Sequence, residues 1–149
     1  LKGESEMSDT IGLLIMTHGD FGKAAIESAE LIVGKQENYD TMSVFVVDQV
    51  DDLKQEMFDK ADQLATTKGL LVLTDIVGGT PINLASYLLE RENTIVASGV
   101  NLPMLLEVLM ARTGEFATIE ETLRSAYAQG LTVRTNADLE GEEDDEYSL

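Results

Sequence analysis

The chain has 149 residues, with 28 acidic against ten basic side chains, a formal charge of −18, one histidine and no cysteine. That length suits one domain burying roughly 70% of the surface its unfolded form would expose, and it falls short of two domains of ordinary size. Disulfides and thiolate metal sites are excluded, an acidic surface argues against nucleic acid or anionic lipid as a main partner, and no apolar run approaches the ~20 residues of a membrane span.

In chain order, residues 1–6 read as a non-native or disordered leader ahead of a natural start at Met7. Residues 11–16 form a short, continuously apolar stretch, the pattern of a parallel strand buried on both faces. Thr17, His18 and Gly19 end it. Phe21, Ala24, Ala25, Ser28, Ala29 and Ile32 then recur at helical spacing, with Asp20 as the cap and Gly34 as the stop. Residues 43–48, SVFVVD, read as a second buried strand, and 50–66 as a helix with Leu53, Met57, Ala61, Leu64 and Ala65 inward. LLVLT at 70–74 is a third strand. Asp75 and the Gly78-Gly79-Thr80-Pro81 turn lead into a helix running to about Arg91, capped by Thr80. A fourth strand at 94–98 is followed by Asn101 and a helix that Pro103 initiates, to about Arg112. Thr118 and Glu121 have capping-box spacing ahead of a last helix carrying Ile119, Leu123 and Ala126, which Gly130 ends.

LTVRT at 131–135 alternates in polarity and reads as an edge strand. Residues 138–149 are an acidic, disordered tail. The intervening 7–137 hold 19 acidic and nine basic side chains, a net of about −10. Strands alternating with helices require parallel pairing and right-handed crossovers, so the fold class is α/β, a doubly wound sheet. With no signal peptide and no cysteine, the cytoplasm is the expected compartment.

Parallel strands put their C-terminal ends on one rim, where His18, Asp75, Gly79, Thr80 and Asn101 should converge. Two glycines ahead of a helix let backbone N–H groups approach an anion, and the helix macrodipole favours negative charge there. The same turn also fits a simple capped helix start. No GxxxxGK[ST] run and no GxGxxG are present, which excludes a P-loop and a dinucleotide fingerprint. A zinc site would lack a second histidine or a thiol. Asp75 is the natural partner of His18. A carboxylate on one ring nitrogen fixes the tautomer and leaves the other lone pair free to attack, although helix capping or turn formation would use Asp75 equally well.

MTHGDFG at 16–22, LTDIVGGTPIN at 73–83 and SGVNLPMLLEVLMAR at 98–112 together resemble the mannose-family IIA domain of the phosphoenolpyruvate-dependent sugar phosphotransferase system, over nearly all of 7–135. The resemblance implies a parallel sheet of order 2-1-3-4 and a homodimer in which some members exchange an antiparallel C-terminal strand. It implies that His18, through Nε2, accepts a phosphoryl group from the carrier HPr and passes it to a cognate IIB domain, which phosphorylates sugar crossing the membrane IIC and IID subunits. Asp75 would orient the ring, and Thr17, Gly79, Thr80 and Asn101 would surround the phosphoryl group, with neither cofactor nor metal. Phe21, Ile76, Val77, Leu102 or Met104 are candidates for the docking surface, with core packing the expected fate of most of them. The alternative is a regulatory or binding module that senses phosphorylation at His18 without onward transfer.

Overall fold

The structure, a computed structural model, describes residues 9–140. The leader at 1–6 and most of the acidic tail, 141–149, lie outside the described residues. The elements in order are β1 (Gly12–His18), α1 (Phe21–Val33), β2 (Tyr39–Val44), α2 (Val50–Gln63), β3 (Leu70–Thr74), α3 (Thr80–Ala85) with a 3-10 extension (Ser86–Glu90), β4 (Thr94–Ser98), α4 (Leu102–Ala111), a 3-10 turn (Phe116–Thr118) and α5 (Ile119–Gln129). The four strands form one parallel sheet of order β2-β1-β3-β4, the expected topology.

Strand periodicity divides the core in two. Leu13 and Ile15 of β1, with Leu71 and Leu73 of β3, face Ile26, Leu105, Val108 and Leu123 of α1, α4 and α5. Leu14, Met16, Leu70 and Val72 face the opposite layer, built on Leu53 and Met57 of α2 and Leu84 of α3. Because both faces of β1 and β3 are covered, neither strand alternates in polarity, and every residue of β3 is buried. Truncating a side chain as enclosed as Leu14 costs about 2–5 kcal/mol.

Several local expectations are corrected. β2 lies at Tyr39–Val44, not at 43–48. It is an outer strand of the sheet, so it needs one apolar face only, supplied by Met42 and Val44. The more apolar Phe45, Val46 and Val47 run beyond it into solvent. The inward face of α1 consists of Gly22, Ile26 and Ala29, while Phe21 and Ile32 are exposed. Gly22 sets that rotation, since a Cβ there would stand 2.8 Å from Cγ2 of Ile15. The helix can sit against β1 only at a residue without a side chain.

Asp20 occupies the N-cap position of α1 without capping it, because its Oδ1 accepts a bond from the Ser43 hydroxyl at 2.6 Å. The α3 cap position falls on Gly79, leaving Thr80 as the first helical residue. The capping box at Thr118 does not form: the preceding 3-10 turn already holds Thr118 in helical geometry, and its hydroxyl donates to the Glu115 carbonyl. Residues 131–135 form no strand among the described residues, and 136–140 are helical. Leu131 and Val133 are exposed.

At the end of the sheet where β1 begins, Arg112 is buried at the C-terminus of α4 and donates to the carbonyls of Ile11, Glu37 and Asn38 and to the Gln36 side chain. Burial lowers its pKa to about 10. Its fork joins the chain entering β1, the chain entering β2 and the end of α4.

Candidate functional site

His18 is the last residue of β1, and it is the first in that strand whose side chain reaches solvent, 48% exposed after six buried residues. Strand β3 runs parallel beside it and ends at Thr74, so the next residue, Asp75, emerges next to the imidazole. Asp75 Oδ2 accepts from the ring Nδ1 at 2.8 Å and from the His18 backbone N–H at 3.1 Å. One carboxylate oxygen thus holds both the ring and the main chain of the same residue. The Asp75 side chain is 10% exposed. Burial alone would raise its pKa, but the bonds from the His18 ring and N–H, and from the N–H groups of Asp75 and Ile76, outweigh it, and the carboxyl sits below its ordinary value of 3.8. An ionised carboxylate has no proton to give, so Nδ1 carries the hydrogen, and in the neutral imidazole this tautomer leaves the lone pair on Nε2.

Gly79 lies against that free edge. Its φ is +95°, and a Cβ there would stand 3.1 Å from both Cε1 and Nε2 of His18. Thr80 and His18 line one depression, whose other wall is Phe45, Val46 and Asp48 just after β2. The Asp48 carboxylate accepts the Phe45 N–H at 2.7 Å, which turns the chain sharply there. Ile76 and Val77 are exposed on the other loop of this rim, and Phe21 is half-exposed at the start of α1. Met104, in contrast, is buried in the core, and Leu102 packs partly against it.

Thr17 is buried. Its hydroxyl accepts the Gly22 N–H at 2.8 Å and donates to the Gly19 carbonyl, so it closes the turn that carries His18 out of the sheet. Asn101 caps α4: its Oδ1 accepts the Met104 N–H at 2.9 Å, and its amide donates to the Gly99 carbonyl. The structure therefore brings His18, Asp75, Gly79 and Thr80 together at one surface and places Thr17 beneath it. Asn101 spends its side chain on its own helix.

Two features of the site escaped the sequence reading. The 45–47 lip was concealed by its resemblance to a buried strand. The second is a hydroxyl pair, Thr74 and Ser98, at the ends of β3 and β4 with their oxygens 2.6 Å apart. A threonine closing an otherwise apolar strand was its signal. Among the described residues, no three His, Cys, Asp or Glu side chains are grouped so as to hold a metal ion, and no helix is long and apolar enough to cross a membrane.

A family model described as "PTS system fructose IIA component" matches residues 12–127. The chain is 38% identical over 104 residues to the PTS system mannose-specific EIIAB component of Escherichia coli (strain K12), a match covering 69% of this chain and 32% of that protein. It thus spans about a third of the length of that relative. It is 37% identical over 103 residues to the PTS system fructose-specific EIIA component of Bacillus subtilis (strain 168), covering 68% of this chain and 70% of that one. The crystal structure of phosphotransferase system component EIIA from Streptococcus agalactiae superposes with a TM-score of 0.73 at 28% identity, over 83% of this chain and 96% of that one.

Proposed function

We propose that this chain, which belongs to the mannose/fructose/sorbose EIIA family of the sugar phosphotransferase system, carries the phosphoryl group on Nε2 of His18. The observation that supports this atom over the rest of the surface is the 2.8 Å bond between Nδ1 and Asp75, which leaves the opposite nitrogen as a half-exposed nucleophile. The donor is the phosphohistidine of HPr. As the Nε2–phosphorus bond forms, the donor's nitrogen–phosphorus bond breaks, and its electron pair leaves with the donor imidazole. The phosphoryl group then moves by the same exchange to a histidine of a cognate IIB domain, and from there to sugar entering through the membrane IIC and IID subunits.

Transfer between imidazoles is close to balanced in free energy. The chain's task is therefore to align nitrogen and phosphorus and to hold the equatorial oxygens. Asp75 supplies the alignment and stabilises positive charge on the ring as the new bond forms. The oxygens are held by the N–H groups of Gly79 and Thr80 and by the Thr80 hydroxyl, with Thr17 and Asn101 maintaining the turns on either side. Phe45, Val46, Ile76 and Val77 form the apolar surface on which HPr and IIB dock. The location is the cytoplasm.

The protein acts as a homodimer in which 131–135 pairs antiparallel with the free edge of the partner's β4. Leu131 and Val133 are exposed apolar residues at alternate positions, and beside β4 lies an open groove lined by Ile95, Ala97, Met104, Leu123 and Tyr127, both of which favour such pairing.

Intact mass after incubation with phosphoenolpyruvate, enzyme I, HPr and magnesium tests the assignment. One acid-labile phosphate on the native chain and none on His18→Ala is the expected result. No phosphate from a demonstrably active HPr overturns the carrier reading in favour of a binding module, and a phosphate that IIB cannot remove overturns it in favour of a regulatory one.

A further inference from the structure

Three consecutive residues at the end of β3 are held by three consecutive groups at the end of β4. The Gly99 N–H donates to the Thr74 and Asp75 carbonyls at 3.1 and 3.0 Å, and the Val100 N–H donates to the Thr74 carbonyl at 3.1 Å. The third group is a side chain: the Ser98 hydroxyl donates to the Ile76 carbonyl at 3.3 Å, while its oxygen lies 2.6 Å from Oγ1 of Thr74. A serine hydroxyl has one hydrogen. Since that hydrogen goes to Ile76, Thr74 is the donor in the shorter bond, and the order is Thr74 to Ser98 to Ile76. Thr74 is fully buried, directly opposite Ser98 in the strand register. The hydroxyls therefore tie the side chain of the residue before Asp75 and the carbonyl of the residue after it to one serine oxygen, beside the Gly99 and Val100 N–H groups that hold the two peptides flanking Asp75 itself.

We propose that Ser98, with Thr74 as its donor, is a positioning residue for the His18–Asp75 pair. It sets the direction of the carboxylate and thereby the imidazole tautomer. The inference rests on the reading of His18 as the phosphoryl acceptor for its effect on rate, but its effect on the ring is independent of that reading. Neither hydroxyl touches His18, so each acts only through the 74–76 backbone. Without the Ser98 hydroxyl, the peptide after Ile76 loses its anchor and Asp75 is held by the Gly99 and Val100 N–H groups alone, so its carboxylate spends less time on Nδ1 and the ring gains more of the Nε2–H form that has no lone pair at the reacting atom.

The test is 15N-resolved imidazole spectroscopy of the unphosphorylated full chain, joined to the rate of phosphorylation by HPr. The native protein is expected to hold its Nδ1–H form. Ser98→Ala should raise the Nε2–H fraction several-fold and lower the rate at saturating donor by about three- to tenfold with little change in KM, and Ser98→Thr should restore both readings. Thr74→Val, which keeps the shape and removes only the donor, should move the tautomer in the same direction by less, and it decides the matter if Ser98→Ala does not fold. Native tautomer populations and a native saturated rate in folded Ser98→Ala, with only a lower melting temperature, would overturn the proposal. If HPr phosphorylates no variant and not the native chain, the carrier reading fails while the spectra still decide the role of Ser98.

Discussion

Gly79 meets two demands at one position. A side chain there would have to adopt φ +95° and would crowd the Cε1–Nε2 edge of His18 at 3.1 Å. Gly79→Ala should therefore cost about 1–3 kcal/mol from this positive-φ, glycine-only backbone conformation alone, measured as a shift in denaturant midpoint. It should also slow phosphorylation by about tenfold or more, because the new methyl group occupies the approach to Nε2. Loss of stability with a native rate would mean that the glycine serves the turn alone. Asp75 makes a prediction of opposite character. Its folded pKa lies below its ordinary 3.8, so its ionised form contributes stability that is complete above that value and is lost as pH falls through the folded pKa. The stability difference between the native chain and Asp75→Asn should accordingly shrink on acidification below about pH 4. Chemical denaturation across that range checks it, and a difference that grew toward low pH would contradict the sign.

Among the elements, β2 shows where hydrophobicity misleads. The run at 45–47 is the more apolar, but pairing with β1 is made by the less apolar 39–44, because an outer strand is selected by alternation rather than by total hydrophobicity. The alternation of Met42 and Val44 was legible. The order 2-1-3-4 that the resemblance implies also put this strand outermost, but the three consecutive apolar residues at 45–47 outweighed both signals. Val46 is fully exposed and Val47 nearly so, so Val46→Asp should leave the melting temperature almost unchanged. If the lip is a docking surface, the same change should reduce kcat/KM for phosphorylation by HPr about tenfold, through KM. A native KM would remove these residues from the interface. At the far end of the sheet, Arg112→Met should destabilise by about 1–3 kcal/mol or more, since several buried carbonyls lose their donor. Arg112→Lys should not rescue it, because an ammonium cannot replace the planar fork. Equilibrium unfolding measures both, and phosphorylation of the fraction that remains folded should proceed at the native rate because His18 lies at the other end of β1.

At the scale of the whole molecule, the alternation of strands and helices made the parallel sheet and its common rim legible, and the order 2-1-3-4 that the resemblance implies put β1 beside β3, so that His18 meets Asp75. Two residues that each end a strand on neighbouring parallel strands must meet. The roles of Thr17 and Asn101 were less accessible, since a hydroxyl or an amide near a helix start can turn toward a ligand or toward the backbone with equal ease, and here both form backbone bonds. The C-terminal segment was least accessible of all. LTVRT has the alternation of a strand, but a strand exists only where an edge is available to pair with it, and within one chain 131–135 pairs with none. Of the two outer strands, β2 and β4, it is β4 whose residues are all only partly buried although the strand is mainly apolar, TIVAS. An apolar outer strand without charges or proline is the kind of edge that proteins cover. If a partner's 131–135 covers it, a chain ending after Gly130 should be monomeric while the longer chain is dimeric, by light scattering at equal concentration. It should also melt at lower temperature, having lost both the strand pairing and the cover over Ile95 and Tyr127. Neither His18 nor Asp75 lines the groove beside β4, so the shortened chain should still accept one phosphate. A truncated chain that remained dimeric would place the interface elsewhere on the molecule.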